Sequence, residues 1–90
     1  MAKRIAVLLC GSGRADGSEI HESVSILIHL SAAGFEYRCF APDVPQAEVI
    51  NHVTGKHAPP GQTRNMMVEA ARISRGEISP IEKLNPSDFD

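Results

Sequence analysis

The chain lacks any excess of positive charge: 9 Lys and Arg against 11 Asp and Glu give a net charge of -2. That balance offers no electrostatic attraction to nucleic acid or to an anionic membrane surface, so neither is an expected partner. It also lacks a long hydrophobic run; nothing approaches the roughly 20 apolar residues of a membrane-spanning helix. The basic start and apolar stretch of MAKRIAVLLCG have the outline of a signal peptide. The stretch from Ile5 to Cys10 is nevertheless shorter than the about 7–15 apolar residues of a secretory core, and Gly-Ser-Gly-Arg follows it. A first β-strand and a cytoplasmic location are therefore the expectation. There are two cysteines, Cys10 and Cys39, without a Cys-x-x-Cys or a metal-like spacing. In a cytosolic chain they are expected as reduced, partly buried thiols. Repeats, low-complexity tracts and linkers are absent, and 90 residues allow one small domain with one core.

What is present begins with an apolar run, IAVLLC, bounded by Gly11 and Gly13. Such a run predicts a strand buried on both faces, as in a parallel sheet. Asp16 or Ser18 is placed to cap the helix that follows, and Asp16 with Glu19 has the spacing of a capping box. Ile20, Val24, Leu27 and Ile28 form the helical stripe, Ile26 and Leu30 widen it, and Gly34 closes the helix. The breadth of that stripe predicts a well-covered helix. Phe35–Phe40 alternates as a second strand before Pro42 and Pro45 break it. Strand, helix and strand make a right-handed βαβ unit with parallel strands. Ala47–Val53 fits a short helix or a strand, and Gly55–Gly61 reads as a loop. Thr63 or Asn65 then caps a second helix carrying Met66, Met67, Ala70, Ala71 and Ile73, closed by Gly76. Ile78 begins a short extended piece, and Ile81 and Leu84 mark a last helical turn. A third strong strand is missing, so it is expected either from AEVINHV or from polypeptide outside these residues.

Several motifs are set aside on their chemistry. Gly11-Ser12-Gly13 after a strand invites a dinucleotide site, but the fingerprint needs glycine where Asp16 stands, and an acidic residue at the helix start repels a pyrophosphate. His21-Glu22 opens like a zinc-binding HExxH, but the fifth position is Ser25, so no metal site is expected. His29, His52 and His57 show no ligand-like grouping. Cys10 has no basic neighbour to stabilise a thiolate and reads as a packing residue. Arg64 and Asn65 open the second helix, as caps or as an anion contact. Glu19 and Glu22 lie three apart on one helical face. Glu19 suits the positive end of the helix, whereas Glu22 lies deeper, beside the apolar stripe, where partial burial favours general acid/base work.

DGSEIHES (Asp16 to Ser23), CFAPD (Cys39 to Asp43), VINHVTG (Val49 to Gly55), TRN (Thr63 to Asn65) and EAARISRGEI (Glu69 to Ile78) closely resemble the ElbB-type proteins. Those are glyoxalase-like members of the PfpI/ThiJ superfamily, related to class I glutamine amidotransferases. The resemblance implies a flavodoxin-like three-layer α/β sandwich with a parallel sheet. This chain would supply the N-terminal βαβ portion and one further helix, so residues 1–90 would be the N-terminal portion of a single PfpI/ThiJ-like domain. It implies hydration of a small aldehyde such as glyoxal to glycolate, also described as protein deglycation, without metal or organic cofactor. An older label of the family is isoprenoid biosynthesis protein.

In that superfamily a cysteine on a strand-to-helix elbow attacks the aldehyde, and a glutamate from the first helix sits against it. Glu22 matches that glutamate and takes the role of proton shuttle. Gly11, Gly13, Glu19 and His21 are then expected to line the pocket. The chain departs from the family in one respect. The elbow cysteine falls beyond the position of Asp90, and neither Cys10 nor Cys39 matches it. The 90 residues alone are therefore expected to be inactive, lending Glu22 to a site whose nucleophile lies elsewhere. The alternative is a non-catalytic binding module, or a homodimer formed through an exposed sheet edge and an apolar helix face.

Overall fold

A computed structural model describes residues 2–90. Strand β1 (Arg4–Leu8) leads through a loop to helix α1 (Ile20–Ala32) and then to β2 (Glu36–Ala41). A small hairpin follows, β3 (Ile50–Asn51) and β4 (Lys56–His57), before helix α2 (Met66–Ser74) and strand β5 (Ile78–Pro80). Two 3₁₀ turns, Ile81–Lys83 and Pro86–Asp88, complete the chain. The main sheet has the order β1-β2-β5 and is parallel throughout, with Val7 opposite Cys39 and Cys39 opposite Ile78.

Both parallel connections run through a helix, and right-handed crossovers in the same direction set α1 and α2 on one face of the sheet. The core lies there: Leu9, Cys39 and Ala41 from the strands meet Leu27, Ala70 and Ile73 from the helices. On the opposite face Phe40 is covered by Phe89, edge to face at 5.7 Å. Helix α1 closes as its glycine predicts. Gly34, at φ 79°, lets its own N–H reach Ser31 O while the Phe35 N–H reaches Leu30 O, a Schellman pairing.

The structure corrects several expectations. The third strand exists and is Ile78–Pro80, too short for its pattern to stand out. AEVINHV contributes only the hairpin strand β3, and Lys56-His57 of the expected loop pairs with it as β4. Strand β1 is not buried on both faces: Leu8 remains 52 % exposed. Nor is α1 well covered. Ser23 and Leu27 are buried, but Ile20, Val24, Ile26 and Ile28 stay exposed. Neither Asp16 nor Ser18 caps α1, because Glu19 is itself the N-cap, while the Ser18 side chain accepts from Cys10 N–H within the loop and the Asp16 side chain accepts from Ile50 N–H of the hairpin.

One edge of the sheet is open. N–H and C=O groups of alternate residues in a strand point to opposite sides. Lys3 O and Leu9 N bond toward β2, so Arg4, Ala6 and Leu8 present their groups to the other side. Arg4 is met there by Asp90, whose N–H donates to Arg4 O at 2.9 Å and whose Oδ2 accepts from Arg4 N at 2.7 Å. Ala6 and Leu8 face no neighbouring strand among the described residues.

Candidate active site

The loop between β1 and α1 is locked from within. Cys10 N–H donates to Ser18 Oγ at 2.9 Å, Ser18 N–H returns to Cys10 O at 2.8 Å, and Gly13 N–H donates to Ser18 O. Gly11 (φ 76°) and Gly13 (φ 155°) take backbone conformations that side chains disfavour. Both are buried, and a Cβ would strike Gln46 at the first and Asp16 at the second. The structure thus sets these glycines against the β2–β3 connection and the loop's own carboxylate.

The loop is also tied to the hairpin. Asp16 Oδ2 accepts from Ile50 N at 3.0 Å, Asp16 O accepts from Gln46 Nε2 at 3.1 Å, and His52 Nε2 donates to Arg14 O at 2.6 Å. The Asp16 side chain is 7 % exposed, and its Oδ1 lies 3.5 Å from His52 Nε2. Sequence reasoning missed this latch. Asp16 and His52 are 36 positions apart and no local pattern links them.

Beyond this loop Glu19 accepts the Glu22 N–H on Oε2 at 2.8 Å and meets His21 Nδ1 on Oε1 at 3.1 Å. The Glu22 N–H first, and the His21 ring second, hold the Glu19 carboxyl below its ordinary range. Glu19 is therefore a cap that fixes the backbone of Glu22. His21 is almost fully exposed, beside an apolar groove that includes Ile20, Val24 and Ile28. Glu22, expected to be partly buried beside the apolar stripe, instead stands exposed in the first turn of α1. At about 100° per residue, Glu22 and Ile26 share one side of α1, while Ile20, Val24 and Ile28 share the other. That second side forms a groove with Arg72 and Ile73 of α2. Glu22 and Ile26 accordingly stand on the flank of α1 away from α2, the side on which β1 is the edge strand of the sheet.

Arg64 and Asn65 are placed apart from Glu22. Asn65 is the cap of α2, accepting from Val68 N at 2.8 Å, and its Nδ2 donates to Asp43 Oδ1. Arg64 and Arg72 both reach Glu69 Oε1, at 3.3 and 3.4 Å. They border a polar cleft of about 380 Å³ that also includes Ser12, Asp16 and His52. Cys39 is buried; that burial first, and the Glu77 charge second, push its thiol pKa up. Cys10, expected to be a partly buried packing residue, is instead an exposed free thiol. Among the described residues no three His, Cys, Asp or Glu converge as metal ligands.

No family model matches the chain. It is 47 % identical over 89 residues to glutamine amidotransferase-like class 1 domain-containing protein 3, mitochondrial, of Homo sapiens, covering 99 % of this chain and 33 % of that protein. It is 46 % identical over 87 residues to the ES1 protein homolog, mitochondrial, of Rattus norvegicus, covering 97 % and 32 %. The ES1 protein, mitochondrial, of Danio rerio is 38 % identical, with 96 % and 33 % covered. The chain thus spans about a third of the length of these curated relatives. Their names overturn the cytoplasmic expectation, since all three are described as mitochondrial. The crystal structure of an isoprenoid biosynthesis protein with amidotransferase-like domain from Ehrlichia chaffeensis superposes with a TM-score of 0.92 at 39 % identity, over 97 % of this chain and 40 % of that one. Over nearly its whole length the chain is therefore similar to part of the glutamine amidotransferase-like class 1 proteins, and it has their flavodoxin-like α/β fold.

Proposed function

We propose that the chain supplies the glutamate half of an ElbB-type glyoxalase site, with Glu22 as proton shuttle and the cysteine nucleophile carried by polypeptide outside these 90 residues. The observation that carries this reading is the position of Glu22, exposed on the flank of α1 above the unpaired edge of β1. In such a site the thiolate adds to one carbonyl carbon of glyoxal to give a hemithioacetal. Glu22 gives a proton to the oxygen that develops charge. As carboxylate it then takes the C–H proton of the sulfur-bearing carbon to form an enediol and delivers it to the neighbouring carbon. The hydroxyl proton of the sulfur-bearing carbon passes to the second oxygen, leaving a glycolyl thioester. Water then hydrolyses the thioester to glycolate and returns the thiol. Glu19 keeps Glu22 in place by holding its backbone N–H. The small aldehyde is the substrate class.

The test is a chimera in which this chain replaces the matching third of the human relative. The 90 residues alone are expected to leave glyoxal unchanged, the chimera to convert it to glycolate, and Glu22→Gln in the chimera to abolish nearly all turnover. Undiminished turnover by the Glu22→Gln chimera would remove the role. A chimera that folds but leaves glyoxal untouched would remove the substrate class.

A further inference from the structure

We infer that the groove between α1 and α2 is a binding site for a free medium-chain fatty acid, its carboxylate held by Arg75 and its hydrocarbon chain laid along α1. The first observation is the surface. Ile20, Val24 and Ile28 form one wall and are 45 %, 37 % and 59 % exposed. Leu27 and Ile73 close the floor and are buried. The groove holds about 600 Å³, within the range of small-molecule sites. From Ile20 to Ile28 the helix rises about 12 Å. At about 1.25 Å per carbon of an extended chain, that length suits roughly ten carbons.

The second observation is charge. Arg72 and Arg75 border the groove, and no Asp or Glu among the described residues lines it. Arg72 is held by Glu69 at 3.4 Å, whereas Arg75 has no ion pair among the described residues. Both helices run antiparallel to the strands, because each lies in the connection between two parallel strands. Arg75 at the end of α2, Ser31 in the last turn of α1 and Tyr37 at the start of β2 therefore share one end of the groove. That end is polar and cationic, and the apolar wall leads away from it along α1. A carboxylate paired with a guanidinium, followed by a hydrocarbon tail, is the complement of that arrangement. The third observation is backbone. Arg75 caps α2 in the left-handed conformation, at φ 61°, a place that ordinarily goes to glycine. Strain of this kind gathers at ligand clamps, and here it falls on the guanidinium that the groove leaves unpaired. Glu22 and the edge of β1 lie on the other flank of α1, so a strand joining that edge leaves the groove open, and the site is independent of the glyoxalase reading.

In the test, methyl and amide NMR spectra of the full chain are followed as hexanoate, octanoate or decanoate is added below its micelle concentration. Decanoate is expected to bind one to one, shifting the methyls of Val24, Leu27 and Ile28 and the amide of Arg75. Affinity should rise roughly two- to fourfold for each methylene, the upper value being that of a fully buried CH₂. Arg75→Gly suits φ 61° and so keeps the fold. It should weaken decanoate at least about tenfold, the loss of a charged hydrogen bond, and leave binding of decanol unchanged. Ile28→Asp, at an exposed position, sets a like charge along the chain's path and should also weaken decanoate at least about tenfold. No saturation by decanoate, an affinity that ignores chain length, or unchanged decanoate binding by either variant would overturn the proposal. So would binding to lipid vesicles alone. Shifts of the same methyls on dilution of the ligand-free chain would give the groove to a second copy and overturn it too.

Discussion

Asp16 joins two parts of the chain that no sequence pattern links, so its removal measures how far the β1–α1 loop depends on the hairpin. Its Oδ2 accepts the Ile50 N–H at 3.0 Å, and only 7 % of the side chain is exposed. In Asp16→Ala that N–H loses a charged acceptor, and hydrogen bonds to charged groups contribute about 1.5–3 kcal/mol. An opposing effect comes from Oδ1, which is buried without a hydrogen-bond partner and lies 3.5 Å from His52 Nε2. Deleting it relieves part of a desolvation penalty. The net loss expected is about 2 kcal/mol, a large fraction of the about 5–15 kcal/mol typical of a domain. In a domain of this size that lowers the melting temperature by roughly 8–16 °C. Asp16→Asn retains an oxygen for Ile50 and should lose less than about 1 kcal/mol. Urea unfolding gives the energies, and amide exchange at Ile50 reports the bond itself. Equal losses for the two variants, or an Ile50 amide in Asp16→Ala as protected as in the parent, would show that the hairpin is held by something else.

A Cβ at Gly17 would lie 2.7 Å from both Cys10 O and Ser12 N, so Gly17→Ala should cost about 1–3 kcal/mol in thermal unfolding. Wild-type stability would show that the loop yields freely. Alkylation followed by mass spectrometry should label exposed Cys10 quickly, and buried Cys39, with its raised pKa, only on unfolding. Equal rates would contradict the packing of Cys39. Glu19 has a folded pKa below its unfolded value, so its contribution to stability is present above pH 4.5 and declines as pH falls through the folded pKa. Glu19→Gln should flatten that part of the acid unfolding curve, measured by circular dichroism.

The frame of the fold was legible because it rests on local signals. IAVLLC and FEYRCF announce β1 and β2, and Gly34 announces the end of α1 through a φ that other residues avoid. Asn65 was legible as a cap because the motif lies within four residues. Strand β5 has only three residues and takes its identity from pairing with Cys39–Ala41, which no window around Ile78 contains. The loop latch was hidden for the same reason. Asp16 beside Glu19 satisfies the spacing of a capping box, yet tertiary partners at Ile50 and His52 claim its carboxylate, and Glu19 caps the helix alone. Glu22 was legible as a candidate through the family resemblance and its place in the first turn; which way it faces required the packing of α1 beside α2.

The two misjudged burials have one physical cause. A continuous apolar strand and a helix apolar around most of its circumference are patterns of elements covered on every side. Here Leu8 on β1 and Ile26 on α1 remain exposed, and both flank the same unpaired edge. A pattern that predicts burial, set on a surface without cover, describes an element built for neighbours that these residues do not contain. Glu22 lies on the same side of α1 as Ile26, so under the proposed glyoxalase reading its chemistry and the burial of Ile26 depend on the same event. On the same reading, covering the edge of β1 should stabilise the chain and complete the proposed site together, and a variant such as Leu8→Lys that blocks one should block the other.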